Sequence, residues 1–271
     1  METKNWLKEG IALCNLGKHE EAIQCYDKVI ELNPNDARAY RHKGNALSCL
    51  GQCEEAMQCY DKAMQCYDKA IELNPNDLTA YSSKGFGLQL LDRFEEAIQC
   101  YDKMIELEPD NGVGYSFKVI VLEKLDRFEE AIQCYDKMIE LFPNKTDLED
   151  SYFRKGIALC NLGKHEEAIQ CYDKAIELNP NDAYAYYLKG MELGHLHKWE
   201  EAVPYFDKAI ELNPNIAEFY NHKGMALGSL GRNEEAIQFF DKAMELNPDM
   251  AREYEKNKVA FTNAVKCNEL H

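Results

Sequence analysis

The side chains with the means for chemistry in this chain are its eleven cysteines and seven histidines. Their spacing restricts what they can do. Cys25, Cys59, Cys100, Cys134 and Cys171 each stand just before a tyrosine in the same local sequence, with Cys66 as a further copy. Cys14 and Cys160 form another matched pair. There is no CxxC, and no histidine lies at zinc-finger spacing from a cysteine pair, so no metal site is spelled out. His19 and His165 occupy one turn position in two nearly identical stretches, which makes them copies of a template. No phosphate-binding glycine loop and no nucleophile signature occurs. A catalytic site needs unlike groups converging on one atom. Copies this similar leave little room for one, so the expectation is no enzyme, no cofactor and no metal.

The copying has a period. Pro34, Pro75, Pro109, Pro143, Pro180, Pro214 and Pro248 follow one another at gaps of 41, 34, 34, 37, 34 and 34 residues. Residues 10–37 match 156–183 at all positions but one, Val29 against Ala175, and residues 91–107 match 125–141 throughout. A fixed period in this range means a repeat array, in which each unit packs mainly on its neighbours. Equivalent cysteines of neighbouring units then stack about 9–10 Å apart, the distance of packed helices. Disulfides need Cα atoms within about 7 Å. The cysteines therefore read as semi-buried thiols of a reducing compartment.

Residues 149–182 show what one unit is. Tyr152, Ile157 and Leu159, with Gly156 and Ala158, trace one face of a helix ending near Leu162. Gly163 and Lys164 make a turn. From Glu166 to Leu178, Ala168, Ile169, Tyr172, Ala175 and Ile176 form the stripe of a second, amphipathic helix. Glu166 and Glu167 complement its dipole, Pro180 stops it, and Asp182 is placed to cap the next helix. Two short helices cannot bury their stripes alone, and Gly156 and Ala168 are where their backbones can close up.

The pattern resembles the tetratricopeptide repeat. Its first aromatic is Trp6, Tyr40, Tyr81, Tyr115, Tyr152, Tyr186 and Tyr220. Its glycine is Gly10, Gly44, Gly85, Gly156, Gly190 and Gly224. Its small alanine is Ala22, Ala56, Ala97, Ala131, Ala168, Ala202 and Ala236. Its later aromatic is Tyr26, Tyr60, Tyr101, Tyr135, Tyr172, Phe206 and Phe240. The resemblance implies an all-α fold, a right-handed superhelical solenoid of antiparallel helix pairs. Seven repeats are expected at about 3–36, 37–77, 78–111, 112–145, 149–182, 183–216 and 217–250, followed by a capping helix and tail over 250–271. One departure is general: the leucine that the family carries before the glycine is a lysine in six repeats, such as Lys155, and Glu9 in the first.

Three interruptions break step. Residues 56–62 and 63–69 are the same heptad twice. This predicts a helix of about 20 residues over 54–73, lengthened by about 10 Å. It either juts past its neighbours as an apolar strip for self-association or shifts the stacking. In the fourth repeat Val119 replaces the packing glycine, Gly112 and Gly114 loosen the helix start, and three extra residues lengthen the loop at 144–147, so a joint is expected near 110–150. Pro204 lies near the first turn of its helix, where its cost is small.

The formal net charge is −17. Each unit templates it, with a pair such as Glu20-Glu21, then Asp27 and Glu31, against two lysines. That reads as a solvated outer face and argues against nucleic acid, which wants a basic footprint. No apolar run has signal-peptide or membrane-span length, so the expectation is a cytoplasmic protein without a membrane partner.

By resemblance to the family, the first helices line a concave groove, and residues flanking the first aromatic face a ligand. Lys4, Lys8, Arg38, Arg41, His42 and Asn45 form the main basic cluster there. Phe86, Phe117, Ile120, Phe153, Ile157, Tyr187 and Met191 follow as large apolar groups, then Asn221, His222 and Met225. The expected function is a scaffold or adaptor that holds an extended or helical peptide, its acidic end on the cations and its apolar side chains on the aromatics. A self-associating oligomer, a homodimer in its simplest form, is the competing reading. A third is a co-chaperone-like binder of an acidic C-terminal tail, for which Arg41 and Asn45 supply half a clamp. The other half falls on Ser83, Val113 and Phe117.

Overall fold

A computed structural model describes residues 2–142 and 144–268, with the side chains of Glu2 and 263–268 left aside. Pro143, one of the period markers, and the side chain of Val265, expected on the capping face, lie outside the described residues. The described chain is helical throughout, and it divides into two compact units, Met1–Arg127 and Phe128–His271. The division falls inside the fourth repeat and within the 110–150 stretch.

The first unit holds α1 (Glu2–Asn15), α2 (His19–Leu32), α3 (Ala37–Cys49), α4 (Cys53–Leu73), α5 (Leu78–Leu90), α6 (Phe94–Leu107) and α7 (Val113–Lys124). The second holds α8 (Phe128–Leu141), α9 (Lys145–Asn161), α10 (His165–Leu178), α11 (Ala183–His195), α12 (Trp199–Leu212), α13 (Ala217–Ser229) and α14 (Asn233–Leu246). A short 3₁₀ turn at Pro248–Met250 leads from there into α15 (Ala251–Asn268). Aspartates start several first helices: the Asp36 carboxylate accepts from the amides of Arg38 and Ala39, and Asp182 accepts from Tyr184 at 2.9 Å. Gly163, at φ +69°, ends α9 in the left-handed conformation, and the Lys164 amide reaches back to the Leu159 carbonyl at 2.9 Å. Helix α12 runs unbroken through Pro204.

Six of the helix pairs close on an aromatic ring set against a glycine. A Cβ on Gly10 would stand 2.6 Å from the Tyr26 ring, and one on Gly156 2.6 Å from Tyr172. Gly44, Gly85, Gly190 and Gly224 meet Tyr60, Tyr101, Phe206 and Phe240 in the same way. These rings are among the most deeply buried side chains of the protein.

Neighbouring repeats are joined by an ion pair that explains the family's missing leucine. The lysine in its place reaches an aspartate on the second helix of the preceding repeat. Lys43 meets Asp27 at 2.5 Å, Lys84 meets Asp68 at 2.5 Å, Lys118 meets Asp102 at 2.7 Å and Lys155 meets Asp136 at 2.5 Å. Lys189 pairs with Asp173 and Lys223 with Asp207. Burial, the largest single influence, would lower the ammonium of Lys84, Lys155 and Lys189, but the hydrogen bond and charge of the aspartate, joined by the Tyr205 hydroxyl at Lys189, together hold each above its usual value.

The interruptions resolve differently from expectation in two places. The extra residues at 144–147 are not loop: Asn144 caps α9, its side chain accepting from the Asp147 amide at 3.0 Å, so the helix simply starts earlier. Gly114 does not loosen α7 but lets it approach α6, for a Cβ there would stand 2.8 Å from Ile105. The long helix forms as read, with 21 residues in α4. It is no projecting strip, because Ala56, Tyr60, Ala63, Met64 and Tyr67 are all buried. The two heptad copies divide the work. Tyr60 of the first copy packs on Gly44 of its own repeat, while Asp68 of the second takes Lys84 of the next.

Helix α15 closes the second unit as a first helix would. Tyr254 packs with Ala217 and Ala243, Phe261 stacks on Phe240, and Lys258 pairs with Asp241 at 2.6 Å.

Candidate peptide-binding face

In the first unit, the polar candidates fall into two groups. Lys4, Lys8 and Arg38 are exposed, and Arg38 leans on Asp36 at 3.4 Å. Arg41, His42 and Asn45 are half-buried. Asn45 is already engaged, its side-chain oxygen accepting from the Tyr60 hydroxyl at 2.7 Å. Among the described residues no acid engages Arg41: its guanidinium lies over the Phe86 ring with Cζ 5.4 Å from the centroid, and Nη2 donates to Nε2 of His42 at 3.3 Å. His42 stacks on Tyr26 at 5.7 Å. Burial, then the charges of Arg41 and Arg38, push its imidazole down to about 4, so it is neutral at pH 7 and accepts the arginine's bond.

The apolar candidates of this unit are more accessible. Phe86 is 42% exposed and Ile120 54%. Leu90, one turn after Phe86, and Val113 are exposed as well, and neither was picked out from the sequence. Spacing on α5 and α7 was the signal for both. Phe117 is committed elsewhere, stacked on Tyr101 at 5.4 Å.

In the second unit most candidates are spent on packing between repeats. Tyr187 sits among Phe219, His222 and Phe206, with ring centroids 4.8, 5.3 and 6.2 Å away. Burial pushes its phenol up. Phe153 meets the Tyr172 ring edge-on, and Met191 joins the cluster around Phe206. Asn221 is buried; its oxygen accepts from Asn257 of α15 at 3.0 Å and its amide leans on the Met225 sulfur. Of the residues singled out there, Ile157 is the one that stays exposed.

One constellation escaped sequence reasoning. Glu192 is buried where the other repeats carry Ala12, Ala46, Gly87, Val121, Ala158 and Ala226. Its carboxylate meets His165 Nδ1 at 2.6 Å, and His165 stacks on His195 at 5.1 Å. In the first repeat, whose following repeat carries Ala46 in that place, Nδ1 of the equivalent His19 is buried and, among the described residues, without a partner. Aligning the repeats against each other would have exposed the odd glutamate.

Burial raises Cys25, Cys59, Cys66 and Cys171 above the usual thiol range and Cys100 to about 11. Open recesses of about 470–580 Å³ recur beside Cys59, Cys100 and Cys171, each with a ladder lysine in its lining, so they belong to the repeat rather than to one site. Among the described residues no cluster of histidine, cysteine and carboxylates could hold a metal ion. No helix is long and apolar enough to cross a membrane.

Sequence models of the tetratricopeptide repeat match residues 44–77, 78–111, 115–145, 149–182, 183–216 and 217–250, and a TPR repeat model matches 10–51. No curated protein matches the sequence. Among solved structures, YrrB, described as a TPR protein with an unusual peptide-binding site, is similar at 26% identity over 70% of this chain and 97% of its own, with a TM-score of 0.58. MamA is similar at 25% identity over 65% of this chain and 94% of its own, also at 0.58. The C-terminal part of a TPR repeat-containing protein from Cytophaga hutchinsonii shares the fold at 18% identity over 93% of this chain and 98% of its own, at 0.68. The repeat matches, carried by helix pairs that close ring on glycine, place this chain in the tetratricopeptide-repeat family.

Proposed function

We propose that this protein is a protein–protein interaction scaffold that holds a peptide segment of its partner on the first helices of residues 1–127. One observation carries the reading: Phe86, Leu90 and Ile120 stand exposed on α5 and α7, and over the Phe86 ring lies an arginine that, among the described residues, has no acid of its own. Exposed apolar groups gathered next to an unpaired charge are what a peptide with both features would cover. The likeness to YrrB, a TPR protein with a peptide-binding site, supports it. The reading is of a non-catalytic scaffold. The second unit contributes little to this contact, since Tyr187, Met191 and Asn221 are engaged in packing. Self-association through α4 loses its ground with the burial of that helix's stripe. The chaperone-tail reading loses Asn45 to Tyr60.

The test is selection from a random-peptide phage library against the full chain, with a Leu90→Asp, Ile120→Asp double variant beside it. Both sites are exposed, so circular dichroism should be unchanged. Peptides enriched on the wild type and lost on the variant are expected. Enrichment that the variant retains would overturn the reading.

A further inference from the structure

We infer that the interface between the first and second repeats holds a subsite for a small free carboxylate, acetate in size, formed by His19, Cys14 and the Tyr26 hydroxyl beside Ala46. The subsite is separate from the peptide-binding face above and does not rest on it.

Two nearly identical stretches of this chain meet different neighbours. Residues 10–37 and 156–183 differ only at Val29 against Ala175. They therefore offer the following repeat the same groups: Cys14, His19 and Tyr26 in one, Cys160, His165 and Tyr172 in the other. In the second unit a carboxylate meets those groups. Glu192 of α11 is 4% exposed, and its oxygen lies 2.6 Å from His165 Nδ1. Cys160 is within hydrogen-bond reach of the same carboxylate, and its sulfur stands 3.2 Å from the Tyr172 hydroxyl. Burial pushes the Cys160 thiol up to about 12 and the Tyr172 phenol up as well, so both keep their protons and can donate.

In the first unit α3 brings Ala46 to the place of Glu192. Ala46 packs in one buried cluster with Ala22 and Tyr26, with Cys14 against it, and His19 starts α2 one turn before Ala22. What Ala46 lacks relative to Glu192 is CH2–COO−, the substance of an acetate ion. The difference shows in the groups around it. Tyr26 is 0% exposed, and its hydroxyl has Cys14 beside it but no oxygen or nitrogen to bond among the described residues. His19 Nδ1 is likewise buried and unpartnered among the described residues. Buried polar groups are hydrogen-bonded as a rule, so two orphans in one interface call for an acceptor. The second unit shows which acceptor these residue types accommodate together. Access lies on the His19 side. His195 stacks over His165 at 5.1 Å, whereas the first interface carries the smaller, exposed Cys49 in that position, next to a half-buried His19.

The experiment is thermal unfolding of the full chain in sodium acetate against sodium chloride at equal ionic strength, with formate and butyrate as further probes. Wild type is compared with Ala46→Glu and His19→Ala. Acetate at several times its dissociation constant should raise the wild-type midpoint by about 2–4 °C over chloride, formate by less, and butyrate, too long for the place of Glu192, not at all. Ala46→Glu carries the carboxylate covalently, so it should be more stable than wild type in chloride and indifferent to acetate. His19→Ala, at a half-buried position, should fold and lose the acetate response. Equal responses in wild type and both variants would mark a general salt effect and overturn the subsite. A wild type that ignores acetate would overturn it too. In that case a stabilised Ala46→Glu would assign the orphaned groups to water, and a destabilised one would show α3 closed against α2 with no room for a carboxylate.

Discussion

At the scale of single residues, most side chains that looked available for a ligand are used in building the repeats, and the exceptions stand out by what they lack. Among the described residues Arg41 has no acid beside it, and Phe86 and Ile120 stay exposed. His42 shows how the same site couples to pH. Its imidazole is held near 4 in the folded protein against 6.5 ordinarily, by burial first and the two arginines next. Above 6.5 it is neutral in both states and contributes no pH dependence. As pH falls from 6.5 toward 4 the unfolded chain takes the proton and the folded chain does not, so stability is lost across that window. His42→Phe gives this position the ring that Phe117 carries on Tyr101. It should flatten the fall in urea midpoint between pH 6.5 and 5; an unchanged slope would assign the loss to other groups, His222 among them, whose imidazole is also lowered. Gly156→Ala tests the close approach instead. Its Cβ would stand 2.6 Å from the Tyr172 ring, which is locked in the core, so a destabilisation of about 1–3 kcal/mol is expected in chemical unfolding.

At the scale of elements, the lysine–aspartate pairs and the α4 duplication are one story. Repeats stack in register because a first helix places its lysine on the aspartate of the helix before it. A second copy of Ala-Met-Gln-Cys-Tyr-Asp-Lys offers that register twice. The following repeat takes the later copy, and Asp61 of the earlier one is passed over. Deleting residues 63–69 restores a 34-residue spacing and returns Asp61 to Lys84. The shortened protein should fold, with helical ellipticity reduced in proportion to the seven residues.

At the scale of the whole molecule, charge is the dominant fact. Repeats that each carry excess acid sum to −17, and self-repulsion opposes the compact state. The ladder pairs run the other way, but their lysine side chains are only 9–25% exposed and salt screens them weakly. Raising salt from about 50 mM to about 500 mM, where the Debye length shrinks well below molecular dimensions, should therefore raise the thermal midpoint. A midpoint that falls instead would show the ion pairs outweighing the repulsion.

Periodicity by itself determined the helix pairs, the long α4 and the capping helix. Each depends on residues close in sequence, repeated until the pattern could not be mistaken. The lysines in the leucine position were visible as an oddity, but their aspartates sit on another repeat, and only packing brings them together. The same holds for the candidate face. Side chains at equivalent positions read alike in sequence, yet Tyr187 is wedged among rings and Asn221 is held by α15, while Phe86 stays open. Whether a side chain is spent or free depends on what the neighbouring repeat places against it. That is a contact between distant residues, and the tertiary structure decided it.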